Sequence, residues 1–440
     1  MNIAELVKDA GVVGAGGAGF PTHVKLQAKV ETVIANGAEC EPLLYKDKEV
    51  MRLQPEAGVD GIAKVMEITG AKKGILALKK KNQEAILKFE QILKKTKNIE
   101  LFILGDFYPS GDEVILVVDT TGRNVPPTGL PLHVGCVVNN VETLMNLSFA
   151  LNSNQPVIEK YVTICGAVKK PVTLKVPVGI TLRELIELSG GLTEPDCVFL
   201  KGGAMMGTAI INLNDPITKT SAGYIALSKD HSLARRKTTS YHSLERIGKS
   251  ACDQCSYCTE FCPRYLVGHP IQPHRVMRSL QFSGPTFENE SNWALACIEC
   301  GICGLYACPE DLSPHEICGH IKKELGIKGI RVQPPPTPVK SHPLQEYRRV
   351  PMSKLMHKLN LTTYDHPAHF ENIHYQPKQV QLPLKQHTGV PAEPLVKVGQ
   401  RVKKGDKIAD IPTGKLGTPI HASISGKVIS VDGNIIIESD

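Results

Sequence analysis

Eight of the chain's thirteen cysteines lie between Cys252 and Cys308, in two matched runs. The first is Cys252-x2-Cys255-x2-Cys258-x3-Cys262-Pro263, the second Cys297-x2-Cys300-x2-Cys303-x4-Cys308-Pro309. Three thiolates at two-residue gaps can wrap one face of an iron–sulfur cube, because a tight turn brings each sulfur onto a different iron. The fourth ligand then comes from elsewhere, and in chains that carry two such runs it comes from the partner run. The spacing therefore assigns Cys252, Cys255, Cys258 and Cys308 to one 4Fe–4S cluster, and Cys297, Cys300, Cys303 and Cys262 to the other. Each trailing proline turns the chain away and brings no N–H that needs a partner.

Zinc ribbons and disulfide frameworks compete with this reading. A ribbon carries two C-x2-C pairs rather than triplets with a trailing Cys-Pro. Disulfides suit small secreted domains, and no secretion signal opens this chain. The four residues between Cys303 and Cys308 depart from the x3 gap of the first run. Cys40, Cys136, Cys165, Cys197 and Cys318 are isolated and read as ordinary buried thiols.

A second candidate site lies near the start. Apolar Ile3, Leu6, Val7 and Ala10 predict a short helix, followed by Gly14-Ala15-Gly16-Gly17-Ala18-Gly19-Phe20-Pro21. The loop formally satisfies G-x-G-x-x-G but follows a helix instead of a strand, so a Rossmann first turn is disfavoured. Its backbone amides could still approach a flat or phosphorylated ligand, with a helix from Thr22 aimed at an anion. A strand over 31–35 then delivers Asn36-Gly37-Ala38-Glu39-Cys40-Glu41-Pro42, two carboxylates at a strand end, a common ligand position in α/β folds. Phe107 to Glu113 is a turn with two more acids, and Asn139-Asn140-Val141-Glu142-Thr143 should cap a helix running through Leu147 to Leu151.

The elements that must hold these residues alternate helix and strand over 58–104, which predicts a layered α/β domain. Residues 157–213 carry strands near 161–166 and 172–176 and a helix from Thr181, its N-cap, to Ser189. Lys201 to Gly207 is a glycine-rich return, expected to pack on the first domain. A helix should join the cysteine runs over 273–282. Gln333-Pro334-Pro335-Pro336-Thr337-Pro338 opens a stiff linker. The Val/Ile-rich end, punctuated by glycine, is all-β.

The 440 residues are 42 % hydrophobic and 5 % aromatic, with a net charge of +7. Scarce aromatics leave few stacking platforms for nucleic acid, and the mild basic excess better suits anionic cofactors or an acidic partner. With no run of ~20 apolar residues, the expectation is a soluble protein of a reducing, cytoplasmic compartment.

The Gly16 to Pro21 loop, the Asn36 to Pro42 segment and Asn139 to Thr143 resemble the flavin- and NADH-binding motifs of the NADH-oxidising subunit of respiratory complex I. The resemblance implies FMN between the first and third motifs and NADH at the second. The implied binding residues are Gly16, Gly17, Gly19, Phe20, Glu39, Glu41, Asn139, Asn140 and Thr143. Ala38-Glu39-Cys40-Glu41-Pro42 departs from that family's Asp-Glu-Gly-Glu-Pro. The 157–213 piece resembles a soluble-ligand-binding β-grasp module. Val396 to Asp406 with His421 to Val428 resembles a biotinyl/lipoyl barrel. Lys415 falls at the offset of the lysine that carriers modify, but Gly414 and Leu416 are not the usual flanks, so the barrel reads as structural.

Together these imply a multidomain α/β and α+β chain: an FMN/NADH-binding α/β domain (1–155), a β-grasp domain (156–223), a ferredoxin-like dicluster domain (224–330), a Pro-rich linker (331–382) and a lipoyl-like all-β barrel (383–440). The order resembles the cobalamin reductases of propanediol-utilisation microcompartments, within a superfamily shared with the NADH-oxidising subunit of Rnf-type membrane complexes, which usually carries its barrel first. The implied activity is NADH-dependent electron transfer to cobalamin, with cobalamin or an adenosylating enzyme on the acceptor side and a microcompartment as its place. Two alternatives stand beside it: an electron donor to another oxidoreductase or a membrane complex, and a non-enzymatic iron–sulfur relay.

Overall fold

Val33, Ile34 and Ala35 are consecutive apolar residues, as are Cys136, Val137 and Val138, a pattern that suits strands covered on both faces. The structure, a computed structural model describing residues 3–332 and 338–440, places them side by side. The strands are β1 (Thr32–Gly37), β2 (Lys73–Lys79), β3 (Ile99–Leu104), the two-residue β4 (Phe107–Tyr108) and β5 (Cys136–Asn140). β3, β2, β1 and β5 form, in that order, a parallel sheet. Side chains alternate between two cores. Val33, Ala35, Leu76, Leu78 and Val137 face helices Pro55–Thr69 and Val141–Ser153. Ile34, Ile75, Ala77 and Val138 face helix Glu113–Thr121 on the other side. The chain moves outward from β1 to β2 and β3, then returns to β5 on β1's other flank. The crevice at the carboxyl ends of β1 and β5 is thus the topological switch point of the sheet, the place where open α/β sheets bind ligands.

The β-grasp sheet runs Val172–Pro177, Glu159–Gly166, Gly223–Ser228, Cys197–Lys201, Thr208–Ile210, with Phe370–Glu371 added at its outer edge. Helix Leu182–Leu188 starts at Thr181, whose hydroxyl accepts from the Glu184 amide while Glu184 reaches back to the Thr181 amide. The cysteine runs sit among helices Tyr241–Ala251, Pro273–Ser279 and Pro314–Ile327. The C-terminal unit is a sandwich of a four-stranded and a three-stranded sheet. Val428, Ile435 and Ile437 point inward, while Lys427 and Glu438 point out.

Two expectations change. Gln333 to Thr337 lies outside the described residues, but the stretch that follows is no solvated linker. Val350–Pro351 pairs with β4, Met352–Lys358 is a helix, and Val350, Leu355 and Leu361 are fully buried beside Tyr108 and Cys300. Apolar residues at 352, 355, 356 and 359 carry a helical period that the surrounding prolines and histidines obscured. The helix from Thr22 is a single turn, Thr22–Lys25, too short to build a useful dipole. Among the described residues no helix is long and apolar enough to cross a membrane.

Candidate redox site

The glycine loop lies over the end of β5. The Ala15 amide donates to Thr143 Oγ1 at 2.9 Å, and a Cβ on Gly16 would stand 2.7 Å from Asn140 Nδ2. Nothing lies within 4 Å of the corresponding position at Gly17, so that face of the loop is open. Half-buried Phe20 closes the loop, its carbonyl taken by the Gly14 amide. Asn36 and Asn140 are register partners at the ends of β1 and β5. Asn140 caps helix Val141–Ser153 through the Glu142 amide, as the sequence suggested, and its Nδ2 reaches Asp47 Oδ2 at 2.8 Å. Asn139 Nδ2 is buried with no protein partner, and so is Ser110 Oγ. Such groups are expensive to bury unless something accepts from them or donates to them. The open Gly17 face and the orphaned Asn139 amide fit a flat polar ligand in the crevice.

The two carboxylates of the acidic segment diverge. Glu39, in the left-handed region at φ 35°, accepts from the amides of Asp47 and Lys48 at the start of helix Lys46–Leu53. Burial, then the neighbouring Asp47 charge, raises its carboxyl to about 7. Glu41 turns the other way, and its oxygens take the amides of Met205 and Met206 at 2.8 and 2.9 Å. It clamps the glycine-rich return of the β-grasp domain onto the acidic segment. A cleft of about 390 Å³ opens beside them, lined among others by Glu39, Tyr45, Lys48, Asn82 and Met352.

Sequence reading missed the charges beneath the loop. Glu142 is buried between Lys46 (2.8 Å) and Lys160, which also donates to the Ala15 carbonyl. Burial pushes the Glu142 carboxyl up, but Lys160 and Lys46 outweigh it and hold the group below its ordinary range. Nothing in a single sequence pairs three charges from a loop-side helix, a cap and a distant strand.

The cysteine runs share one backbone device. Gln254 and Ser256 in the first, Glu299 and Gly301 in the second, occupy equivalent places and all have positive φ. Residues in that conformation turn amide N–H groups toward a common centre, as anion and cluster loops do. The Glu299 amide donates to Cys297 Sγ at 3.3 Å. A small cavity is lined by Cys262, Cys297, Cys300 and Cys303, the set assigned by ligand exchange. Cys308 lies within electrostatic reach of Cys252, Cys255 and Cys258. The extra residue before Cys308 is absorbed by a turn of π-helix, Ile302–Tyr306, where the first run has an α-turn. Among the described residues no three His, Cys, Asp or Glu side chains gather around a single ion; a cube instead takes each thiolate on a separate iron. Cys318, expected to be isolated, sits against Cys297, and its thiol hydrogen bond holds Cys297 below the ordinary thiol value.

The two sites touch, although the β-grasp segment separates their motifs in sequence. Tyr108 Oη donates to the Cys300 carbonyl at 2.8 Å, and its ring is buried. Asp112 caps helix Glu113–Thr121 with one oxygen and pairs with Arg264, two residues past Cys262, at 2.8 Å with the other.

Comparison with known proteins agrees with this arrangement. Residues 7–148 match the Nuo51 FMN-binding domain, 161–209 the SLBB domain, 251–313 the 4Fe-4S dicluster domain and 365–439 the RnfC barrel sandwich hybrid domain. The chain is similar in fold to an NAD+-reducing nickel–iron hydrogenase in the H2-reduced state (TM-score 0.50, 19 % identity, 73 % of this chain and 60 % of that one). One component of the Na(+)-translocating ferredoxin:NAD(+) oxidoreductase complex of Acetobacterium woodii is 34 % identical over 60 % of this chain and 58 % of its own length. The cobalamin reductases PduS of Citrobacter freundii and Salmonella typhimurium are each 42 % identical, over 98 % and 99 % of this chain and 95 % of their own lengths. At that identity, end to end, the chain belongs to the family of the cobalamin reductases PduS.

Proposed function

We infer that this protein is an NADH-dependent flavin and iron–sulfur oxidoreductase whose electrons go to cobalamin. The observation that carries the reading is the turn 107–112, which Asn36 at the end of β1 holds through the Gly111 carbonyl and which meets the second cysteine run through Tyr108 and the Asp112–Arg264 pair. FMN bound here would supply the exchange between a hydride and single electrons, and each cube would supply a one-electron site. The residues do the rest. The loop amides from Gly16 to Phe20, with Asn139, Asn140 and Thr143, would hold the flavin. Lys25, which donates to the Val138 carbonyl at 2.8 Å, places a cation beside the same strand end. The cleft beside Glu39 suits the nicotinamide end of NADH, and Glu39 would orient it rather than transfer a proton. Because Glu41 is engaged by Met205 and Met206, its part is to shape the cleft, and direct contact with NADH is disfavoured.

The eight cysteines would hold two 4Fe–4S clusters. Cobalamin as the acceptor is suggested by the relatives' names. Work inside a microcompartment, with cobalamin presented free or on an adenosylating enzyme, is suggested by the resemblance described above. Anaerobic titration with NADH tests the reading. Flavin absorbance should bleach, and cob(II)alamin should form when cobalamin is supplied. Bleaching without cobalamin turnover, but with turnover of ferredoxin, would make the protein a donor to other oxidoreductases. No bleaching at all would leave only the relay.

A further inference from the structure

Biotinyl and lipoyl barrels act as carriers by swinging on a tether, and this one is fixed in place. Thr388 donates twice to the glycine loop, from Oγ1 to the Ala18 carbonyl at 2.8 Å and from its amide to the Gly19 carbonyl at 3.2 Å. Gly19 has φ +70°, and a Cβ there would stand 2.6 Å from Thr220 and 3.0 Å from the His387 backbone. The β-grasp domain and the barrel thus close on the loop at its one left-handed glycine.

A second contact locks the same junction. Lys219 is 2 % exposed, and its Nζ donates to the Gly11 carbonyl at 3.0 Å and the Pro419 carbonyl at 2.8 Å. The Lys219 amide donates to Gln386 Oε1 at 3.1 Å. One residue therefore joins the segment leading into the glycine loop, the β-grasp domain and the barrel. Ser423 Oγ donates to the Val178 carbonyl at 2.6 Å, and Val178, Ile180 and Ile217 share a continuous apolar core with Val380, Ile411 and Ile420 of the barrel.

We propose that the C-terminal barrel is a wall of the flavin site: Thr388 and Lys219 hold the glycine loop in its binding shape, so flavin affinity depends on barrel docking. The proposal rests on the reading that Gly16 to Phe20 holds FMN. A glycine-rich loop loses more conformational freedom on ordering than any other, and whatever orders it beforehand spares the ligand that cost.

The test uses full-length protein stripped of flavin and titrated with FMN, followed by fluorescence quenching. Thr388→Val removes the hydroxyl donor but keeps the shape, and should weaken FMN binding roughly ten-fold, the order of one lost hydrogen bond. Thr388→Ser should bind like the parent, which a packing defect would not allow. Lys219→Met should weaken FMN further, with iron content unchanged. If Lys219→Met fails to fold, the exposed Thr388 pair still decides the matter. Gly17→Leu is the reference. Loss of FMN in Gly17→Leu alone, with parent affinity in Thr388→Val and Lys219→Met, overturns the proposal and leaves the flavin reading standing. Parent affinity in Gly17→Leu as well would place the flavin elsewhere, and both would fall.

Discussion

Glu142 is the residue on which the floor of the crevice depends. It pairs with both Lys46 and Lys160, with Asp47 as a second carboxylate on Lys46, and Lys160 in turn holds the Ala15 carbonyl of the glycine loop. Removing one partner of a buried ion pair leaves uncompensated charge and costs about 3–5 kcal/mol. Glu142→Leu should therefore lower stability by about that amount in urea and loosen flavin retention with it, whereas a loss under about 1 kcal/mol would mean that water reaches the two amines. At this scale the sequence was informative where chemistry is local. Asn140 as a cap follows from its neighbours in the chain, and so does the pattern of each cysteine triplet. The ion cluster does not, because its members are 96 and 18 residues apart and a lysine in a strand carries no mark of burial. Glu41 carries a contact the motif did not announce: it lines the cleft, and its oxygens also take the backbone amides of Met205 and Met206.

Among the elements, the two cysteine turns are alike in φ pattern and differ by one residue, which the π-turn at 302–306 takes up. An added residue in a helix turn bulges outward and leaves the chain direction unchanged, so Cys308 can still serve the first run. The exchange of fourth ligands gives a direct prediction. Purified without air, the parent should hold about eight irons. Cys262→Ala should lose the electron paramagnetic resonance signal of the second-run cluster and keep the other. Loss of the first-run signal alone would reverse the assignment.

The junction at Lys219 makes a second prediction at this scale. Burial pulls its amine from 10.5 to about 7. Between those values the unfolded chain binds one more proton than the folded one, so stability rises with pH there, by at most about 1.4 kcal/mol per pH unit. Urea midpoints measured from about pH 7 to about pH 9 should climb in the parent, and Lys219→Met should reduce that slope, most clearly below about pH 8, above which Lys160, its amine pulled by burial to about 8, contributes as well. An unchanged slope would show that another group sets it. The strap over 350–361 was hidden by its surroundings: prolines and histidines on either side mask the helical period of its own apolar residues, which do the packing.

For the molecule as a whole, the parts were legible and most of their contacts were not, the return at Lys201 to Gly207 excepted. The α/β domain announces itself by alternation and the cysteine runs by spacing, while the β-grasp module and the barrel follow from resemblance to known families. Tertiary contact is what brings Tyr108 to Cys300 and Thr388 to the glycine loop, 192 and 370 residues apart in sequence. Those contacts turn a string of modules into a path from the crevice at β1 and β5 to the buried second run, and on to the first run, where Cys255 is exposed. Whether electrons follow those contacts is decided by one comparison. The measurement is a comparison of two acceptors in a variant with Cys255 and Cys300 both replaced by serine, matched to the parent in circular dichroism and flavin content. It should still oxidise NADH with a small dye that reaches the crevice directly, and should lose cobalamin reduction. Cobalamin reduction at the parent rate would contradict the account, since the cysteine runs would then lie off the path and the crevice itself would be the donor.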